Sequence, residues 1–281
     1  IAVVANLELK RGYQVLPAGR LAEATTVAHA IAEITNVPAH GRQPYVGASA
    51  FAHKAGLHAS AIKVDPDLYQ HTDPKLVGND MRLLVSDMAG RASIELKGRE
   101  LGLDLSTDPD LVNRLVARVK DLENQGYTFE AADASFDLLV RESRDGRPVR
   151  YFEPESWRVM TDARGGEDAL SEATVKLRAR DVRSVAVGEG NGPVNALDQA
   201  LRQALRTSYP ELDRMELTDY RVRILDTEHG TDAITRVLIE TSNGQQTWST
   251  VGVAANVVEA SWQALVSGLT YGLLLAGVDP L

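Results

Sequence analysis

The amino-acid sequence predicts an α+β fold, with helical subdomains leading into a pseudo-symmetric pair of strand-rich units, each closed by a helix. Three observations predict it. Apolar residues recur at helical spacing through much of residues 1–143, as in Leu111, Leu115, Val119 and Leu122. Beyond residue 155 the pattern switches to alternation, with Val175, Leu177 and Ala179 on one face and Lys176, Arg178 and Arg180 on the other. Finally, VGEGNGPVNALDQAL (187–201) aligns with VGVAANVVEASWQAL (251–265) at an offset of 64, with seven identities. They are Val187/Val251, Gly188/Gly252, Val194/Val258, Ala196/Ala260, Gln199/Gln263, Ala200/Ala264 and Leu201/Leu265. Each copy reads as strand, small-residue turn and amphipathic helix, which suggests a duplicated α+β unit.

Taken in order, residues 1–12 read as a helix with a basic end, stopped by Gly12. Residues 20–36 give a second helix, with Leu21, Ala24, Ala28 and Ile31 on one face and Pro38 beyond it. ASAFAHKAGLHASAI reads as helical with a weak point at Gly56. DPDLYQHTDPKLVGN carries two Asp-Pro pairs and reads as loop. RLLVS is a strand candidate, and RASIELKGRELG a helix closed by Gly102. Asp108 before Pro109 marks a helix start. Residues 130–143 form a further helix presenting Phe136, Leu139 and Val140. RESRDGRPVRYFEPES is polar and holds two prolines, which places a linker near 144–155. SEATVKLRARD and TDYRVRIL are half-buried strands, the second with Tyr220, Val222 and Ile224 inward. The repeat helices bury Val194, Leu197, Leu201 and Leu205, and Val258, Trp262, Leu265 and Leu269.

Composition narrows the function classes. The chain has 281 residues and a net charge of −9, which argues against a nucleic-acid partner because phosphate binding needs a basic face. No apolar run approaches the roughly 18 residues that a membrane span requires, and no signal-peptide pattern opens the chain. Cysteine is absent, which removes disulfides, thiol nucleophiles and Cys-ligated zinc, and fits a cytoplasmic location. The chain opens at Ile1 in what looks like mid-helix, so a fragment or processed chain is expected.

Five of the six histidines precede residue 72. On one helix His53 and His58 would diverge by about 140° and could not chelate together, and no zinc-binding spacing occurs, so no metal site is expected in this chain. His58 reads either as a general acid/base, the role an imidazole side chain commonly takes, with Tyr69 following on a loop, or as an ordinary surface or capping histidine. The glycines of VGEGNGPVN lack phosphate-loop spacing. They form a strand-to-helix turn with Pro193 in first helical position, and the second turn offers Asn256 as N-cap with Glu259 three residues on. Two such helix starts either bind a small carboxylate or serve only as caps.

VGASAFAHKAGLHASAI, YQHTDPKLVGN and LLVSDMAGRASIELKGRELG resemble the segment after the catalytic barrel in the isopropylmalate, homocitrate and citramalate synthase family, closest to its citramalate branch. GNGPVNAL, DYRVRIL and GVAANVVEASWQAL resemble that family's C-terminal allosteric domain. The resemblance covers essentially the whole chain. It implies the end of a TIM barrel with the following helix over 1–44, a subdomain with a catalytic His and Tyr over 45–104, a helical subdomain over 105–150, and an allosteric dimerisation domain over 155–281. The family's barrel holds one divalent metal through an Asp, an H-x-H pair and an Asn. None of those motifs occurs here, nor do the catalytic acid and substrate-binding Arg, so the metal is expected in a barrel missing from this chain. His58 matches the catalytic His and Tyr69 the catalytic Tyr, while His53 is left as structural or substrate-proximal. The implied parent condenses acetyl-CoA with pyruvate, and the chain alone is expected to be inactive. An isopropylmalate-type activity and a stand-alone amino-acid-binding dimerisation module are the alternatives. The resemblance further implies a homodimer with isoleucine or leucine as effector. The pocket candidates are Gly190, Asn191 and Gly192, then Asp232 and Ala233, and Ala254, Ala255 and Asn256, with Asp232 facing the effector's ammonium. The linker near 144–155 would be the hinge.

Overall fold

A computed structural model describes residues 1–35, 37, 39–53, 56–83, 90–163, 169–225 and 233–281. Helix and sheet are mixed, and the chain divides into two compact units, Ile1–Val116 and Ala117–Leu281.

The first unit opens with α1 (Ala2–Arg11), which ends as expected at Gly12 in left-handed conformation, φ 72°. The second expected helix splits into a 3-10 turn (Arg20–Glu23) and α2 (Ala24–Thr35). Leu21, Ala24 and Ala28 join a small core with Ala5, Phe51 and Val77, whereas Ile31 is 51% exposed, so the apolar stripe is shorter than expected. Pro38 lies outside the described residues. The ASAFAHKAGLHASAI segment is not one helix. Ala52–His53 form a two-residue strand, β1, paired in parallel with β2 (Arg82–Leu83), and α3 spans Gly56–Val64. The rest of RLLVS lies outside the described residues. Each Asp-Pro pair in the expected loop starts a 3-10 turn, Pro66–Leu68 and Pro74–Val77. Asp65 and Asp73 accept from the amides of Asp67 at 3.0 Å and Lys75 at 2.9 Å. Helix α4 (Arg91–Glu100) follows. Helix α5 (Pro109–Asn124) starts where Asp108 predicts, its carboxylate accepting the Leu111 amide at 2.9 Å.

The second unit carries α6 (Asp133–Asp145) and then the antiparallel strands β3 (Phe152–Asp162), β4 (Leu170–Ala179) and β5 (Val182–Gly190), in sheet order β3-β4-β5. Helix α7 (Pro193–Leu205) closes this group. A second antiparallel sheet follows, β6 (Glu216–Ile224), β7 (Thr235–Ser242) and β8 (Thr247–Ala254) in that order, closed by α8 (Val257–Leu275). One continuous core joins Val175 and Leu177 of β4, Leu197 and Leu201 of α7, Ile239 of β7 and Leu265 and Leu269 of α8. On β6, Val222 and Ile224 are 45% and 53% exposed although they oppose Val237 and Thr235, because an edge strand is covered from one side only.

The linker expected near 144–155 is a correction. Helix α6 continues to Asp145, and Tyr151 is fully buried. Its hydroxyl donates to the Val278 carbonyl at 2.9 Å and its own carbonyl accepts from Tyr209 Oη. Those prolines lie in a segment anchored by a core tyrosine, and the division between units falls instead at Val116/Ala117.

Candidate functional site

In the first unit the residues expected to carry chemistry gather at the start of α3. His58 sits on its first turn, half-buried. Tyr69 closes the 3-10 turn that Asp65 caps and is 41% exposed. The two rings lie 4.1 Å apart between centroids, tilted by 31°. His53, from β1, meets His58 edge-on at 6.0 Å. His53 and His58 do not share the one helix that the sequence predicts, because His53 belongs to a strand, and their rings therefore meet. Nε2 of His53 is buried without a hydrogen-bond partner, and burial, followed by the neighbouring His58 charge, lowers its pKa. The signal that could have found this residue is the break at Gly56, which turns one helix into a strand and a helix. His71 stacks on Phe51 at 5.5 Å and meets Tyr45 edge-on at 5.6 Å. Tyr45 holds a left-handed backbone, φ 68°, with its hydroxyl on Asn6 Oδ1 at 2.9 Å and its carbonyl on Asn79 Nδ2 at 2.9 Å. A half-exposed imidazole beside a phenol places a proton donor and acceptor within reach of a bound molecule. Among the described residues no group of three or more His, Cys, Asp or Glu could hold a metal ion.

In the second unit two glycines 64 residues apart make the same approach. A Cβ on Gly188 would overlap the Ala200 amide nitrogen and the Ala196 carbonyl, and one on Gly252 the Ala260 carbonyl and the Ala264 amide nitrogen. Strand and helix therefore touch main chain to main chain in both groups. The helix starts differ. Asn256 Oδ1 accepts the amides of Val258 at 2.8 Å and Glu259 at 3.3 Å, so α8 is capped by its own side chain. Gly192 has no side chain to cap α7, Pro193 has no N–H, and the amides of Val194 and Asn195 have no described partner. A cleft of about 850 Å³ opens beside α7. Val194, Asn195, Arg202, Leu217 and Tyr220 line it, whereas Gly190–Gly192 and Ala254–Asn256 do not. Arg202 is fixed there by Asp198 at 2.8 Å and by the Met215 carbonyl at 2.6 Å. Ala233 is buried, and Asp232 lies outside the described residues.

Residues 130–273, about half of the chain, match the family described as the LeuA allosteric (dimerisation) domain. The chain belongs to this family. Its LeuA-type domain is preceded by a match over residues 45–127 to the homocitrate synthase post-HMGL domain-like family, which contains both His58 and Tyr69. The whole chain is similar to proteins named (R)-citramalate synthase. The Streptomyces coelicolor protein is 66% identical over 278 residues, 99% of this chain and 52% of its own length. The Aquifex aeolicus protein is 44% identical over 275 residues, 97% and 52% respectively. The Sulfolobus acidocaldarius protein is 38% identical over 274 residues, 97% and 50%. The chain thus spans about half the length of the curated relatives it matches. Among the described residues no helix is long and apolar enough to cross a membrane.

Proposed function

We propose that the chain is the post-barrel and regulatory portion of a citramalate synthase, an acyltransferase that condenses acetyl-CoA with pyruvate in the cytoplasm. The observation that carries this reading is the match of 99% of the chain, at 66% identity, to a protein bearing that name. In the reaction the acetyl methyl group loses a proton, the resulting carbon nucleophile attacks the keto carbon of pyruvate, and water cleaves the thioester to leave citramalate and CoA. His58 is assigned to proton abstraction or water activation, and Tyr69 to hydrogen bonding and proton donation. Their ring contact at 4.1 Å supports a shared task. The divalent metal that the resemblance implies does not fit the described residues of this chain. It is assigned to the part of the relatives that the chain does not cover, and no step above runs through it. The chain alone is therefore expected to be inactive.

The second unit is read as the sensor, two copies of one strand-strand-strand-helix unit. The paired glycine approaches at Gly188 and Gly252 support the duplication. The effector is a branched-chain amino acid, isoleucine in the citramalate reading, bound by a homodimer. Its carboxylate meets the uncapped start of α7 over Gly190–Gly192, where two amides are free of side-chain caps. Its apolar side chain enters the cleft beside Val194, Leu217 and Tyr220. Asp232 stays assigned to the ammonium, with Ala233 as its neighbour among the pocket candidates. Ala254–Asn256 is the weaker candidate, because Asn256 already takes the two amides a carboxylate would use.

Two measurements test this. Calorimetric titration of the chain should give saturable isoleucine binding, tighter than leucine or valine; leucine preference would point to isopropylmalate synthesis instead. In the full-length enzyme His58→Ala should lower turnover by about 100-fold or more while leaving isoleucine binding unchanged, and unaltered turnover would remove His58 from the mechanism.

A further inference from the structure

Resting on the homodimer reading, we propose that β5 is the seam between two copies of this chain. It pairs antiparallel with β5 of the partner about a two-fold axis at Ala186. The two sheets of the second unit have four edges, β3, β5, β6 and β8. An exposed edge is a template for another strand unless something blunts it. Strand β3 carries Pro154 and a register shift between Pro154 and Ser156, and β6 a shift between Leu217 and Asp219. Two outward amides of β8 are taken by side chains: Val251 donates to Ser135 Oγ and Val253 to Gln263 Oε1, both at 3.0 Å. Strand β5 has none of these devices. It pairs with β4 without interruption from Ala179↔Val182 to Ser171↔Gly190, and no described residue bonds its free side.

The direction of that free side follows from the turn. Two residues, Arg180 and Asp181, connect the closing pair Ala179↔Val182, which is therefore a hydrogen-bonded pair, and Arg180 has the positive φ of 52° that such turns use. Even-numbered β5 residues thus bond β4, and Arg183, Val185, Val187 and Glu189 turn their N–H and C=O groups outward. The side chains of these four point away from the core: Val185 and Val187 are 54% and 46% exposed, and both charged residues are exposed. A two-fold axis at Ala186 sets each Arg183 opposite the partner's Glu189 and each Val185 opposite the partner's Val187. Each of these outward pairs is then of opposite charge or apolar. Moving the axis to residue 184 or 188 sets a charge against a valine. Within its own sheet Arg183 holds Glu155 of β3 through Nε at 3.0 Å and Nη2 at 2.7 Å. The self-complementary pattern fits a second copy of this chain, an isologous contact.

Sedimentation equilibrium on the full chain tests this. R183E and E189R should each weaken self-association about tenfold or more, by setting like charges opposite one another. An equimolar mixture of the two variants should recover dimers, because each meets the opposite charge on the other. In the unaltered chain, hydrogen exchange over residues 183–189 should slow as concentration rises. Dimers of undiminished affinity in both variants, with exchange independent of concentration, would overturn the β5 seam and leave the homodimer reading standing on another face. A chain that sediments as a monomer at all concentrations would remove both.

Discussion

The approach of β8 to α8 makes Gly252→Ala the sharpest test of the packing. The added methyl would overlap the Ala260 carbonyl and lie 2.9 Å from both the Ala264 amide nitrogen and Gln263 Cβ. Two of these are main-chain atoms, so no rotamer change relieves the overlap, and strand and helix must separate along the core that Leu265 and Ile239 share. Overpacking of this kind costs about 1–3 kcal/mol. For a unit of the size of Ala117–Leu281 each kcal/mol lowers the melting temperature by about 2–4 °C. The expected fall is thus about 2–12 °C in calorimetry at fixed protein concentration. Gly188→Ala should behave alike, since its Cβ would meet the Ala200 amide and the Ala196 carbonyl. Ser249→Ala, on the other face of β8, should stay within about 0.5 kcal/mol of the parent. Adding Ala260→Gly should not rescue Gly252→Ala, because the obstacle is the carbonyl rather than the methyl. A melting temperature for Gly252→Ala equal to that of Ser249→Ala, or full rescue by Ala260→Gly, would refute main-chain contact as the reason for glycine.

Two further outcomes follow from caps and burial. Asp108→Ala removes the acceptor of the Leu111 amide, 2.9 Å away, at the start of α5. It should cost about 1 kcal/mol, read as a lower denaturant midpoint at unchanged slope, and Asp108→Asn should restore most of it. Tyr271 and Tyr151 ionise at about 12, both raised first by burial, then by Asp137 for Tyr271 and by Tyr209 for Tyr151. Both folded values lie above the phenol's ordinary value of about 10, so stability from the protonated tyrosines is complete below that pH and is lost as pH rises toward 12. Phenolate absorbance should lag the unfolded chain over that range, and Tyr271→Phe should flatten the alkaline fall in stability.

What the sequence could disclose depended on whether a local rule decided the outcome. Asp108 with Pro109 marks a helix start through chemistry confined to four residues, and the structure keeps it. The same rule applied to Asp65-Pro66 and Asp73-Pro74 predicts the two 3-10 turns, which a reading of that stretch as plain loop passes over. The helix–strand division of the second unit was legible in periodicity because each strand of β4 type has one buried face. Tertiary facts were not legible. The proline-rich stretch up to Pro154 looked like a linker, but Tyr151 within it is a core residue bonded to Val278, 127 positions away. His53 and His58 meet only because β1 is held by β2, from a segment about 30 residues on. Ile31 kept its helical spacing yet stays exposed, since periodicity names a face without naming what covers it.

The two strand-and-helix groups of the second unit share their packing and differ in what they leave open. The later group has its openings filled: Asn256 caps α8, and Ser135 of α6 and Gln263 of α8 accept the Val251 and Val253 amides on the β8 edge. Gln263 also accepts the Tyr127 hydroxyl at 3.1 Å, and Arg236 donates to the carbonyls of Gly126 and Tyr127, so this group is fastened to the segment before α6. The earlier group leaves the corresponding places free, an uncapped α7 and an open β5 edge. In the proposed reading one copy anchors and the other receives, and the two openings are contiguous. Glu189, in the ladder proposed for the seam, stands directly before Gly190, where the effector turn begins. An amino acid that settles this turn also settles the end of the strand that meets the partner. Linkage then requires reciprocity: an effector that binds the dimer more tightly than the monomer must tighten the dimer by the same factor. Isoleucine should therefore lower the dimer dissociation constant of the parent chain. Equal dimer affinity with and without saturating isoleucine would separate the two sites despite their adjacency.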